Sequence, residues 1–153
     1  MTAMQPTILL VEDNPDDEML ARRAFRAFNN ETRKHSMSVA RDGRDAIRQA
    51  TSSTTPPTLV LLDLNLPEAD GFQVLEAIRQ HPSAATTPVV VLTSSSDALD
   101  IVRAYSLGAN SYMTQPVDFE RFIEVVRELS EYWLVLNHAA KVAPPLNHNC
   151  PAR

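Results

Sequence analysis

The chain has 153 residues, 44% apolar and 22% charged, which suits one soluble domain with its own hydrophobic core. A formal net charge of -5 argues against nucleic acid or an anionic membrane as the main partner, because neither attracts an acidic surface. No run approaches the roughly 18 apolar residues of a membrane span, MTAMQPT is no secretory signal, and a single cysteine, Cys150, excludes an internal disulfide framework, so a cytoplasmic protein is expected.

The first apolar run, ILLV at 8–11, does not alternate with polar residues and predicts a strand buried on both faces. A helix follows over NPDDEMLARRAFRAF. Asn14 is its N-cap and Pro15 its first residue, while Asp16, Asp17 and Glu18 complement the positive helix end. A weaker strand, MSVA at 37–40, precedes a helix over GRDAIRQA. The turn-rich connector TSSTTPPT at 51–58 leads to LVLL at 59–62, a third strand. The helix GFQVLEAIRQH sets Phe72, Leu75 and Ile78 on one face and stops at Pro82.

VVVL at 89–92 is the fourth strand, and the next helix carries Leu99, Val102 and Tyr105 as an apolar stripe, with Gly108 as its C-terminal cap. A short strand around SYM at 111–113 comes before the last helix, predicted from near Asp118 to about Leu136. Residues 137–153 carry two adjacent prolines and no apolar period, so they are expected to form an extended or disordered tail behind a domain at 6–136. Five strands alternating with five helices predict a three-layer α/β domain with right-handed crossovers.

The residues that come after each apolar strand point to chemistry. ILLV ends in Glu12 and Asp13, LVLL in Asp63 with Asn65 two residues on, and VVVL in Thr93 followed by three serines. In an open parallel sheet all of these lie at the carboxyl edge, where such folds bind ligands. Any one of these acids is explained by helix capping. Three strand ends together are better explained by a hard cation such as Mg²⁺ offsetting the mutual repulsion of the carboxylates.

In these motifs the chain resembles the receiver domain of two-component response regulators. EDN, LLDLNLPEADGF, VLTSSS and SYMTQPV occur in the family's order, and the resemblance covers residues 6 to 136. With ARDG and the closing YWLVLN, the chain is especially similar to stand-alone receivers that partner bacterial phytochromes. The resemblance implies a flavodoxin-like (βα)5 sandwich with a parallel five-stranded sheet in the order 2-1-3-4-5. It implies that Asp63 accepts a phosphoryl group from a sensor histidine kinase, a bacteriophytochrome being one candidate. Glu12, Asp13, Asp63 and the Asn65 carbonyl would hold Mg²⁺, Thr93 would move to bond the phosphoryl group, and Tyr112 would swing inward with it.

Position 115 is where receivers ordinarily carry a lysine, followed by a proline that is usually cis. Here it is Gln115, which keeps length and hydrogen-bond donors but no charge. The expectation is that Asp63 is still phosphorylated but that phosphorylation is coupled weakly to the switch. The alternative is a phosphorylation-independent interaction or dimerisation module. A phosphatase using Asp63 as nucleophile is a weaker third, because DLN offers no second acid two residues on and no substrate cap is visible. The chain is therefore not expected to be an enzyme with a separate substrate.

In the last helix, Phe119, Phe122, Ile123, Val126 and Trp133 form the stripe that a core needs. Val125, Leu129, Tyr132 and Leu136 widen it beyond an ordinary surface helix, which suggests a homodimer through this end. His35, His81, His138 and His148 share no ligand spacing and are read as surface residues. About seventeen residues follow the last helix, too few for a DNA-binding output domain, so either output through protein contacts or a role as a phosphate sink is expected.

Overall fold

A computed structural model describes residues 6–29, 35–52, 54, 56–66 and 70–138. Five strands, β1 (Thr7–Val11), β2 (Ser36–Ala40), β3 (Leu59–Leu62), β4 (Val89–Thr93) and β5 (Ser111–Thr114), alternate with five helices. These are α1 (Pro15–Phe28), α2 (Gly43–Ala50), α3 (Gly71–Gln80), α4 (Ala98–Ser106) and α5 (Phe119–Ser130), the last continuing into a π-helical turn, Glu131–Leu136. All strand pairs are parallel, and the sheet order is β2-β1-β3-β4-β5. This is the flavodoxin-like order that the resemblance implies. No helix among the described residues is long and apolar enough to cross a membrane.

The three central strands are non-alternating because both faces are covered. Leu9, Val11, Val60, Leu62, Val89 and Val91 pack toward α2, α3 and α4, while Ile8, Leu10, Leu59, Leu61, Val90 and Leu92 pack toward α1 and α5. Each such side chain taken fully from water contributes about 1.5–3 kcal/mol. The helix ends follow local chemistry. Asn14 Oδ1 accepts from the Asp16 and Asp17 amides at 2.9 and 3.3 Å, and Pro15 opens α1. Asp42, Asp70, Asp97 and Asp118 cap α2 to α5 in the same way, each such cap typically contributing about 1 kcal/mol. Gly108 ends α4 at φ 101° with its backbone against Arg79.

Two expected core faces lie differently. Leu99, Val102 and Tyr105 of α4 point to solvent, with Leu99 78% exposed, and Ala104 is the buried residue of that helix. A small side chain lets α4 lie close on the sheet, and this turns the larger stripe outward. In α5, Val125 and Leu129 are buried rather than available to a partner, whereas Phe119 is exposed. The α5 helix packs on α1 as well as on the sheet, so two neighbours consume an apolar arc that one would leave half free. Tyr132 and Leu136 remain exposed, joined by Val135. From residue 139 onward the expected tail, with His148 and Cys150, lies outside the described residues, as do residues 53 and 55 of the connector.

Candidate functional site

Glu12 and Asp13 follow β1 directly, Asp63 follows β3, and Thr93 closes β4. The order β2-β1-β3-β4-β5 reverses direction between β1 and β3, so these acids lie beside the switch point where open α/β sheets form their crevice. One carboxylate oxygen from each of Glu12, Asp13 and Asp63 lies within 4.8 Å of the others. The capping explanation does not account for them, because the caps of α1 and α3 are Asn14 and Asp70.

Their environments differ. Glu12 is 5% exposed and its pKa is pushed up to about 8, chiefly by burial. The Asn14 amide, 3.0 Å from Glu12 Oε1, opposes that rise, while Asp63, Asp17 and Asp13 add to it. With no cation in the cluster, Glu12 therefore favours its protonated form, which relieves the repulsion a cation would otherwise relieve. Asp63 is also raised, again mainly by burial. The Asn65 amide, which donates to the Asp63 carboxyl at 3.2 Å, and the nearby Thr93 hydroxyl work the other way. Asp13 is exposed.

Thr93 is fully buried. Its Oγ1 accepts from the Ser95 amide at 3.5 Å, and its carbonyl accepts from the Gln115 amide at 2.7 Å. Gln115 lines a cavity of about 10 Å³ with Glu12, Asp17, Asp63 and Phe122, room for about one water. No Lys or Arg among the described residues lines this cavity. The Gln115–Pro116 bond is trans, as is every peptide bond among the described residues. This corrects the cis bond that the resemblance implies and follows the ordinary preference of about 0.5–1 kcal/mol for trans before proline. Tyr112 is half-buried, and its hydroxyl donates to the Ser95 carbonyl at 2.8 Å while its amide donates to Tyr105 Oη at 3.2 Å.

Two contributors are not singled out by the sequence. Asp17, assigned only to complementing the helix end, also faces the acidic cavity one turn into α1. Gly71 lets the start of α3 lie against the Asp63 loop, since a Cβ there would fall 2.6 Å from the Asp63 carbonyl oxygen and from Leu64 Cα. Its amide donates to the Leu64 carbonyl at 2.9 Å. A glycine followed by a helix is a visible signal, but the contact it permits is a matter of distance.

A doubly wound sheet with three acids and a buried threonine at its switch point is the arrangement that the resemblance to receiver domains implies. The chain belongs to the response regulator receiver domain family, whose model matches residues 8–127. It is 40% identical over 136 residues to the probable methanogenesis regulatory protein FilR2 of Methanothrix harundinacea, covering 86% of each chain. It is 36% identical over 132 residues to response regulator Rcp1 of Synechocystis, covering 83% of this chain and 88% of that one. The solved phosphorylated cyanobacterial phytochrome response regulator RcpA superposes with a TM-score of 0.81 at 34% identity, over 90% of this chain and all of that one. The Mn²⁺-bound form of Rcp1 gives 0.78 at 33% identity, over 89% and 99%.

Proposed function

We propose that this chain is a response regulator, with a receiver unit at 6–136 and a tail at 137–153, whose Asp63 accepts a phosphoryl group from a sensor histidine kinase. The observation that carries this is the meeting of Glu12, Asp13 and Asp63 at the switch point, with the buried Thr93 at the end of the neighbouring strand. An Asp63 carboxylate oxygen attacks phosphorus on the donor phosphohistidine. The new O–P bond forms as the P–N bond breaks, and the donor imidazole leaves with the electron pair. Thr93 would move to donate to a phosphoryl oxygen, and the Asn65 amide holds the carboxylate in place.

The donor set fits Mg²⁺: all-oxygen, acidic and from separate segments, as hard cations prefer. Glu12, Asp13, Asp63 and the Asn65 carbonyl would hold it, and the Mn²⁺-bound form of Rcp1 supports a divalent ion there. When bound, the ion offsets the negative charge that builds up as carboxylate and phosphoryl oxygens approach. Glu12 must release its proton to take part.

The likeness to RcpA, a phytochrome response regulator, supports a phytochrome kinase as donor. Output then runs through protein contacts, including a homodimer in which Tyr132, Val135 and Leu136, exposed at the end of α5, meet a second copy. The chain acts as a signalling protein and not as an enzyme with a separate substrate. To test the central reading, the protein is incubated with a small acyl phosphate and Mg²⁺ and its intact mass is measured. One labile phosphoryl group, absent in Asp63→Asn, is expected; no adduct, or an adduct that survives in Asp63→Asn, refutes it.

A second reading, a phosphorylation-independent module, is favoured by one observation. Gln115 brings no positive charge to the acidic cavity, which suits a switch whose arrangement depends little on Asp63. Partner binding that is equal before and after phosphorylation, and equal again in Asp63→Asn, selects it.

A further inference from the structure

The charges of this acidic chain are segregated. Between residues 22 and 48 lie eight of its fourteen Lys and Arg and only three of its nineteen Asp and Glu, leaving that stretch at +5 and the remainder at -10. Its described residues, 22–29 and 35–48, build one flank of the molecule, from the later part of α1 through β2 to α2. Arg23, Arg26 and Arg44 are exposed there and make no ion pair among the described residues.

At the centre of the flank runs β2, an edge strand that among the described residues pairs only with β1. The Ser36 amide donates to the Pro6 carbonyl at 3.2 Å, and the Ala40 carbonyl accepts from the Glu12 amide at 3.0 Å. Backbone direction alternates along a strand, so Met37 and Val39 turn their polar groups outward. Side-chain amides cover the two ends of this edge. Asn29 accepts from the His35 amide at 3.3 Å and donates to its carbonyl at 2.9 Å, and Gln49 donates to the Val39 carbonyl at 3.1 Å. Between them the Met37 amide and carbonyl and the Val39 amide have no hydrogen-bond partner among the described residues. The strand itself, SMSVA, has neither a charge nor a proline to protect this opening.

Grooves flank the opening on both sides. One of about 270 Å³ is lined by Arg22, Arg26, His35 and Met37, and one of about 870 Å³ by Ser36, Ser38, Arg48 and Gln49. An extended segment laid along β2 would send alternate side chains into the two grooves, with an arginine waiting in each. Arg48 is held by Asp45, but exposed pairs of this kind contribute about 0–1 kcal/mol and exchange readily.

We propose that the β2 edge is a docking site for a short acidic segment of a partner protein, which binds in extended form on the Met37 backbone with its carboxylates on Arg26 and Arg48. Nucleic acid fits less well. A longer polyanion would meet the -10 remainder, and it has no backbone amides or carbonyls to pair with the Met37 rung. The site is separate from the Asp63 crevice and does not depend on phosphorylation.

The test uses the ¹⁵N-labelled full chain and a blocked peptide of alternating glutamate and valine. The expected result is a salt-sensitive association that shifts the Met37 and Val39 amide resonances. Arg26→Glu combined with Arg48→Glu should weaken it by about tenfold or more and leave Asp63 phosphorylation intact. A lysine–valine peptide and a backbone N-methylated glutamate–valine peptide should not bind. Should the double variant not fold, the salt titration and the N-methylated peptide on the unaltered chain decide. The proposal is overturned if the glutamate–valine peptide does not bind, or if the acidic and basic peptides bind alike. It is equally overturned if N-methylation is without effect, if the shifts lie off the β2 flank, or if a single-stranded oligonucleotide binds more tightly than the acidic peptide.

Discussion

Glu12 makes the stability of the metal-free protein depend on pH in an unusual direction. Its carboxyl is raised from 4.5 to about 8 by burial, with Asp63, Asp17 and Asp13 contributing. Between those two values the folded chain holds a proton that the unfolded chain has released. The stabilisation is therefore complete below about pH 4.5 and is lost as pH rises toward 8. One proton gives a slope approaching about 1.4 kcal/mol per pH unit. Across the window this amounts to a few kcal/mol, about 10 °C in melting temperature for a domain of this size.

The assay is a series of thermal melts with a chelator present, from pH 5 to pH 8, repeated with saturating Mg²⁺. Without the ion, the melting temperature should fall steadily across the series. With it the fall should shrink, because a cation in place of the proton stabilises the folded state by mass action and gains most where Glu12 is already ionised. Glu12→Gln, neutral at every pH, should flatten the metal-free profile and lose most of the Mg²⁺ response. A metal-free melting temperature that stays level or rises from pH 5 to pH 8 would refute the reasoning, as would an equal Mg²⁺ gain at both ends.

Gln115→Lys brings a positive charge to the cavity shared by Glu12, Asp17 and Asp63. At about 4 Å this is up to roughly 4 kcal/mol per ion pair at an effective dielectric of 20, so it should lengthen the life of phosphorylated Asp63 and strengthen the conformational response. Identical rates, lifetimes and responses in phosphotransfer assays would show that the missing charge is inconsequential. Gly71→Ala drives a Cβ into the Asp63 and Leu64 backbone; a loss of about 1–3 kcal/mol in urea unfolding, with slower phosphorylation of the folded fraction, is expected. Tyr132→Asp should lower the molar mass measured by light scattering to that of a monomer, and an unchanged mass counts against this face. Val125→Asp should unfold the chain instead, since Val125 is 3% exposed.

How far the fold could be read from the letters depended on how many neighbours each element has. The central strands are covered on both sides by helices, so ILLV, LVLL and VVVL carry a continuous apolar signal with no competing explanation. A helix is harder, because the width of its apolar arc reflects the number of surfaces it meets. In α5 the broad arc is filled by α1 and the sheet, while in α4 the larger apolar stripe is left in water and the small Ala104 faces inward. Composition alone cannot tell a second neighbour within the chain from one in another molecule.

The site divides along a similar line. Acids that follow strands are ambiguous one at a time, since Asp42, Asp70, Asp97 and Asp118 follow strands too and do cap helices. Glu12, Asp13 and Asp63 are set apart by convergence, which alternation of strands and helices already implies once the sheet is parallel. What alternation does not imply is the solvent left around each carboxyl. Glu12 and Asp13 are adjacent in sequence, yet one is buried and raised to about 8 while the other is exposed. The inward carboxyl holds a proton that an incoming cation must displace. Cation binding at neutral pH should therefore release close to one proton per chain, and a calorimetric titration repeated in buffers of different ionisation enthalpy would count it.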